Sequence, residues 1–312
     1  MGLIYFLLFP GLVWGIPGFL LSRWLFPLAS PLERVATSAL FGASTVVPLA
    51  FIVPFLSRTP ITPTWIIGAS ALVSVVGAIL WRFFPRAGVA PSTGAAQAQG
   101  WPVAIGVIAI ALIAALSTIP VSFEGLEIWS PCPHQASLFL LEDGTGNGLE
   151  AFDPLWGRHV SHLTEHPIEP GYGLHKILRV QRPGSAATLV EAFAFHGSGG
   201  LVVASFIYFL LFTAFSALLA AHWLTRAWQV LLLTAIVMLG TRTAAFYMVN
   251  ENMLAAGLGA GCLALLLRVR STSAGSAPEA AMVGIVLALT IAVRPIAASY
   301  LPAVALLLWP MR

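Results

Sequence analysis

The sequence predicts an all-α protein, a polytopic transmembrane helical bundle of eight or nine spans with one large external loop. Three observations carry this reading. Of 312 residues, 58% are hydrophobic and 9% charged, where a soluble domain carries about 25% charge, and the mean hydropathy is +0.90. Apolar runs close to the roughly 20 residues that cross a bilayer recur along the chain. Polar chemistry is concentrated in a single segment, 121–198. Nucleic-acid binding is excluded as an expectation, because the basic residues, almost all Arg, do not cluster. A disulfide-rich secreted fold is excluded because Cys132 and Cys262 are the only cysteines.

The apolar runs are 2–21, 35–56, 64–81, 102–120, 200–222, 228–245, 251–267 and 281–309, the last interrupted at Arg294-Pro295. The first run lacks a basic leader and a small-residue cleavage site, so it reads as a span rather than a signal peptide. Orientation follows from Arg in short connectors. Arg23 and Arg34 lie in 22–34, Arg82 and Arg86 in 82–101, Arg226 after residue 222, and Arg268 and Arg270 in 268–280. All fall on one side, the cytoplasm, if the N-terminus starts outside and each run crosses once; Arg58 is the single dissenter. The expected location is the plasma (inner) membrane. Residues 1–85 then form three N-terminal helices, 86–101 is a Pro- and Gly-rich cytoplasmic linker, and 102–312 forms the main membrane module.

The segment 121–198 falls outside the membrane, facing the exterior or periplasm, and is far longer than an ordinary connector. It holds nine acids (Glu124, Glu127, Glu142, Asp143, Glu150, Asp153, Glu165, Glu169 and Glu191) against Arg158, Lys176, Arg179 and Arg182, and six of the seven His. His159, His162 and His166 stand at i, i+3, i+7, one face of a helix, and neutral imidazoles so placed can hold a divalent metal such as zinc or manganese. A polar, pH-sensitive loop is the alternative, since Pro167 ends any helix there. Asp143-Gly-Thr-Gly-Asn-Gly begins like a calcium loop, but Pro154 stands where the bidentate Glu belongs, leaving a Gly-rich turn.

Ionisable residues at membrane depth are costly and need a partner or a wet cavity. Arg242 follows the run 228–240, Asn250-Glu251-Asn252 opens the next, and Arg294 interrupts the last. Asn250 and Glu251 suit a helix start as cap and dipole partner, or a binding site. Arg294, with Pro295 loosening the helix behind it, suits a phosphate clamp; snorkelling to the interface is its alternative. Gly257, Gly259 and Gly261 permit close helix packing.

Val283-Gly-Ile-Val-Leu-Ala-Leu-Thr-Ile-Ala-Val-Arg-Pro-Ile-Ala-Ala-Ser-Tyr-Leu-Pro-Ala resembles a helix of GT-C superfamily glycosyltransferases that ends in an Arg-Pro or Lys-rich turn. Asn250-Glu251-Asn252-Met253-Leu254 with its small-residue helix resembles the helix before it. Arg182-Pro-Gly-Ser-Ala-Ala-Thr-Leu, leading to Phe195-His-Gly-Ser-Gly-Gly, resembles their juxtamembrane stretch. The resemblance covers roughly 102–309 and implies a GT-C-like fold, a polyprenyl-phosphate-linked sugar donor, a lipid or cell-envelope acceptor, and an active site on the outer face. It further implies an acid after the helix that precedes the external loop, which here is Glu127 or Glu124, acting as general base. Arg294 and Arg242 would stabilise the leaving phosphate, and Glu251 and Asn250 would bind the sugar. In this chain the acidic loop follows the fourth apolar run rather than the first, and the chain ends sooner than a typical member, as a fragment or a reduced relative would. A transporter or channel with an intramembrane Arg/Glu pathway, and a non-catalytic membrane scaffold, are the alternative functions.

Overall fold

A computed structural model describes residues 10–57, 59, 61–86, 99–117, 188, 191–192, 194–195, 200–221, 223–246, 251–271, 277–294, 298 and 301. These residues are helical throughout their regular structure. A π-helical turn, Pro10–Gly15, leads into α1 (Ile16–Leu25), followed by α2 (Pro31–Ser57), α3 (Pro63–Phe83), α4 (Trp101–Leu116), α5 (Gly200–Ala220), α6 (Ala227–Phe246), α7 (Glu251–Ser271) and α8 (Ala277–Val293). Stretches of α2, α3 and α5 are long and apolar enough to cross a membrane, which marks the chain as a membrane protein.

Helix starts follow local chemistry. Ser30 Oγ accepts the Glu33 backbone N–H at 3.2 Å, an N-cap that relieves one of the orphan donors of the first turn of α2. Thr62 Oγ1 does the same for Trp65 at the start of α3, where Pro63 fills the first position with φ preset. Pro102 takes the second position of α4. At the other end, α8 stops at Val293, before Arg294-Pro295, as the sequence leads one to expect.

α2 and α5 form the centre of the bundle. α1 packs on α2 and α3; α5 packs on α2, α4 and α7; α6 lies on α4 and α5; and α8 packs on α7 and α2. Leu40, Phe41 and Val46 of α2 and Val203, Leu211 and Ala214 of α5 are fully buried in one continuous core. The periphery is apolar too: Ile67, Leu72 and Val75 of α3, Ile105 and Ile113 of α4 and Ile236 of α6 are each more than half exposed. So wide an apolar surface is unusual for a protein bathed in water and suits one bathed in lipid.

Hydroxyls inside the helices are turned back on their own backbone. Thr37, Thr45, Thr213, Thr234 and Thr290 each donate to the carbonyl four residues earlier, at 2.6 to 2.7 Å. This satisfies a donor that has no water to turn to. Close packing relies on glycine in two places. A Cβ on Gly42 would lie 1.9 Å from the Trp14 carbonyl oxygen, and one on Gly18 would lie 1.8 Å from that of Ser38, so α1 and α2 cross backbone to backbone. Gly257 lies against Leu211 of α5, and Gly261 against Leu40 and Phe215, which gives two of the α7 glycines the packing role their sequence suggests.

Candidate functional site

The arginines of the short connectors gather at one end of the bundle. Arg268, in the last turn of α7, pairs with Glu33 in the first turn of α2 and lies 4.4 Å from the Phe26 ring centroid. Arg86 lies 3.7 Å from Glu279 of α8 and 5.7 Å from the ring of Trp24. Arg23 stands 5.2 Å over Trp81. Arg34 points back to the end of α1, donating to the carbonyls of Phe26 at 2.7 Å and Pro27 at 3.1 Å and to Ser22 Oγ at 3.1 Å. A cation placed on orphan carbonyls also complements the negative end of the helix dipole. Gln99, just before α4, accepts from Ser30 Oγ at 2.9 Å. Six helix ends therefore meet at one arginine-rich face, and their ion pairs and stacked rings fix the relative heights of the helices.

The opposite half of the bundle holds a hollow. A cavity of about 630 Å³ lies between α2, α3 and α8, with Ser44, Thr45, Pro48, Val73, Ile285, Ala288 and Ala292 among its walls. Its α8 wall recurs at Ile285, Ala288, Leu289 and Ala292, one helical stripe. Ile52 and Ile285 on its border are 49% and 40% exposed, so the hollow opens sideways toward the surroundings of the bundle. The lining is almost wholly apolar, because Thr45 spends its hydroxyl on Phe41 O. Ser44 is the exception: its Oγ is buried with no hydrogen-bond partner among the described residues, and Pro48 supplies no N–H to the Ser44 carbonyl.

Arg294 lies two residues beyond Ala292, about 3 Å further along the axis at a helical rise of 1.5 Å per residue. Its N–H still closes the last turn onto Thr290 O at 2.9 Å, and its side chain is half-buried. The sequence-predicted arginine therefore stands at the end of the helix whose last two turns wall the cavity.

A second polar feature lies deep in the bundle. The Trp14 indole N–H donates to Glu191 Oε2 at 2.6 Å across 177 residues of chain. Both side chains are buried, and Glu191 Oε1 has no partner among the described residues. Trp14 lies eleven residues before the end of α1 at the arginine-rich face, about 16 Å along a helix axis, which places this carboxyl near mid-depth. By sequence Glu191 is one of the nine acids of the external segment 121–198; the structure corrects that placement, since its side chain is buried in the bundle. The one available signal was its position within an otherwise apolar stretch, Ala-Ala-Thr-Leu-Val-Glu-Ala-Phe-Ala-Phe.

Glu124, Glu127, Asn250, His159, His162 and His166 lie outside the described residues. Glu251 opens α7, and Arg242 sits in the second-to-last turn of α6. α7 lies directly against α8, which carries Arg294 into its far end, whereas α6 packs on the other side, against α4 and α5. Among the described residues no three His, Cys, Asp or Glu gather to hold a metal. Comparison with protein-family models, curated proteins and solved structures gives no match to this chain.

Proposed function

We propose that this protein is a polytopic membrane glycosyltransferase of the GT-C kind, moving a sugar from a polyprenyl-phosphate donor to an acceptor on the outer face of the membrane. The observation that supports the reading is the apolar, laterally open cavity whose α8 wall leads to Arg294. A donor of this class has an isoprenoid tail and a phosphate head, which are the two chemistries offered in that order. With eight helices crossing alternately and the arginine-rich face in the cytoplasm, the cavity and Arg294 fall in the outer half.

The acceptor oxygen would attack the anomeric carbon as the bond from that carbon to the phosphate oxygen breaks. Glu127 or Glu124 would take the acceptor's proton as general base. Arg294, with Arg242 as a second candidate, would stabilise the negative charge left on the lipid phosphate. Glu251 and Asn250, at the start of the helix beside α8, would bind the sugar.

Two variants test this in a reconstituted transfer assay. Arg294→Ala is expected to lower transfer about 10²–10³-fold, the size of effect seen when one charge-stabilising donor is removed, with expression and insertion intact. Ala288→Trp, which fills the cavity without touching Arg294, is expected to raise the donor concentration needed for half-maximal rate. Unchanged transfer in both variants refutes the reading. A second reading, an ion or proton pathway, rests on Glu191. In that case Glu191→Gln abolishes proton movement in liposomes, and Arg294→Ala leaves it unchanged.

A further inference from the structure

Three helices wall the cavity, and the junctions between them are unequal. α2 packs on both α3 and α8, and α8 packs on α7 besides; no comparable packing joins α8 to α3 among the described residues. Yet Val73 of α3 and Ile285, Ala288 and Ala292 of α8 all line the hollow. Its open side among these helices is therefore the one between α3 and α8.

At the arginine-rich end that same pair of helices is joined by charge. α3 ends at Phe83, and Arg86 just beyond it lies 3.7 Å from Glu279, in the first turn of α8. The Glu279 side chain is 11% exposed and that of Arg86 22%, so water screens the pair less than it would at a free surface. The ring of Trp24 backs Arg86 at 5.7 Å. Arg86 Nη1 is buried and has no hydrogen-bond acceptor among the described residues, and the carboxylate oxygen across from it is Glu279 Oε1. Arg268 of α7, already paired with Glu33 of α2, is also within electrostatic reach of Glu279. One carboxylate at the foot of α8 is thus held between an arginine from the end of α3 and one from α7. Ile285 and Ala292 stand about 9 and 20 Å along the axis from Glu279 at a helical rise of 1.5 Å per residue, so a shift of the foot is carried along the helix to the cavity wall.

We propose that Glu279 is a positioning residue: by holding Arg86 it ties the foot of α8 to the end of α3 and sets the width of the opening between these helices, the way by which a lipid chain reaches the cavity. The entry of a lipid chain rests on the reading of the cavity given above. The hold on the two walls does not, and it is measured directly.

The test uses the full chain in lipid nanodiscs, with Cys132 and Cys262 replaced by Ala and spin labels at Leu72→Cys of α3 and Ile285→Cys of α8. Leu72 is 54% exposed and Ile285 40%, so both accept a label. Double electron–electron resonance then reads the distance across the opening. Glu279→Gln and Arg86→Gln should each broaden the distribution and move its centre by about 1–2 Å, the usual size of a helix shift at a packed interface. Arg34→Gln removes an enclosed arginine at the same end, one bonded to the end of α1, and should leave the distribution unchanged. Parent-like distances in both Glu279→Gln and Arg86→Gln overturn the proposal. A change in Glu279→Gln alone would put the hold on Arg268 and overturn the tie to α3. An equal change in Arg34→Gln would mean that the whole end had loosened, and that too overturns it.

Discussion

The crossing of α1 and α2 makes a prediction whose size can be worked out from distances. Gly42→Ala adds a methyl group 1.9 Å from the Trp14 carbonyl oxygen. Ordinary carbon–oxygen contact begins near 3.4 Å, and the obstacle is backbone on both sides, so the helices must part by about 1.5 Å, a strain in the range of 1–3 kcal/mol for an overpacked core. Trp14 travels with its carbonyl. Its 2.6 Å hydrogen bond to Glu191 would stretch beyond bonding length and leave an indole N–H and a carboxyl oxygen unpaired, a further loss of about 1–3 kcal/mol. The combined destabilisation is about 2–6 kcal/mol, read as a shift in reversible unfolding of the detergent-solubilised protein. Gly11→Ala is the control, since nothing lies within 4 Å of its Cβ. A double-mutant cycle sharpens the test: once Gly42→Ala has displaced Trp14, Glu191→Gln should cost little more. A Gly42→Ala protein within about 0.5 kcal/mol of the parent, the range of harmless surface changes, would refute the crossing geometry, and additive effects of the two substitutions would refute the link to Glu191.

Glu33→Gln removes the carboxylate facing Arg268, and both side chains are largely enclosed. The expected loss is about 1–3 kcal/mol, less than the 3–5 of a fully buried pair, and part of it should return in the charge-swapped double variant measured by the same unfolding assay. A cysteine placed in 121–187, ahead of the buried Thr188 and Glu191, should react with an impermeant reagent applied from outside, while one in 86–101 should not; the reverse labelling would invert the proposed topology. If His159, His162 and His166 hold zinc or manganese, elemental analysis of the purified protein will find about one equivalent, and the triple Ala variant will lack it.

Helix positions were readable from the sequence wherever apolar length alone decides them. The run 228–245 is the helix Ala227–Phe246, and 251–267 falls within Glu251–Ser271. Helix ends were less legible because polar residues there find tertiary partners. The first run halts at Leu21, yet α1 continues to Leu25, since Ser22 meets Thr37 at 2.6 Å and Arg23 lies over Trp81. α2 likewise starts at Pro31 rather than 35, with Glu33 and Arg34 inside it and both engaged. Arg268, which apolar length alone leaves in a connector, is helical for the same reason. Of the candidate site, the break at Arg294-Pro295 was visible, because proline ends a helix by its own chemistry. The cavity was not, since no single segment contains it, and neither was the Trp14–Glu191 contact, which joins segments 177 residues apart.

The two ends of α2 show why one region of this bundle is fixed and another is open. At its start, a capped first turn carries Glu33 and Arg34, each tied to a different neighbouring helix or turn. Those directional contacts lock α1, α2 and α7 together at one level. In its second half Pro48 interrupts the backbone hydrogen bonding, and part of the helix borders α8 along a hollow. Forgoing contact there costs stability, since an empty volume loses dispersion with its lining, and a membrane protein can recover it only when a lipid chain fills the space. A cavity-filling Ala288→Trp variant should therefore be at least as stable as the parent in delipidated detergent while losing its response to added polyprenyl phosphate. Destabilisation by Ala288→Trp would mean that the walls already close on one another, and a hollow of that kind could not receive a donor's tail.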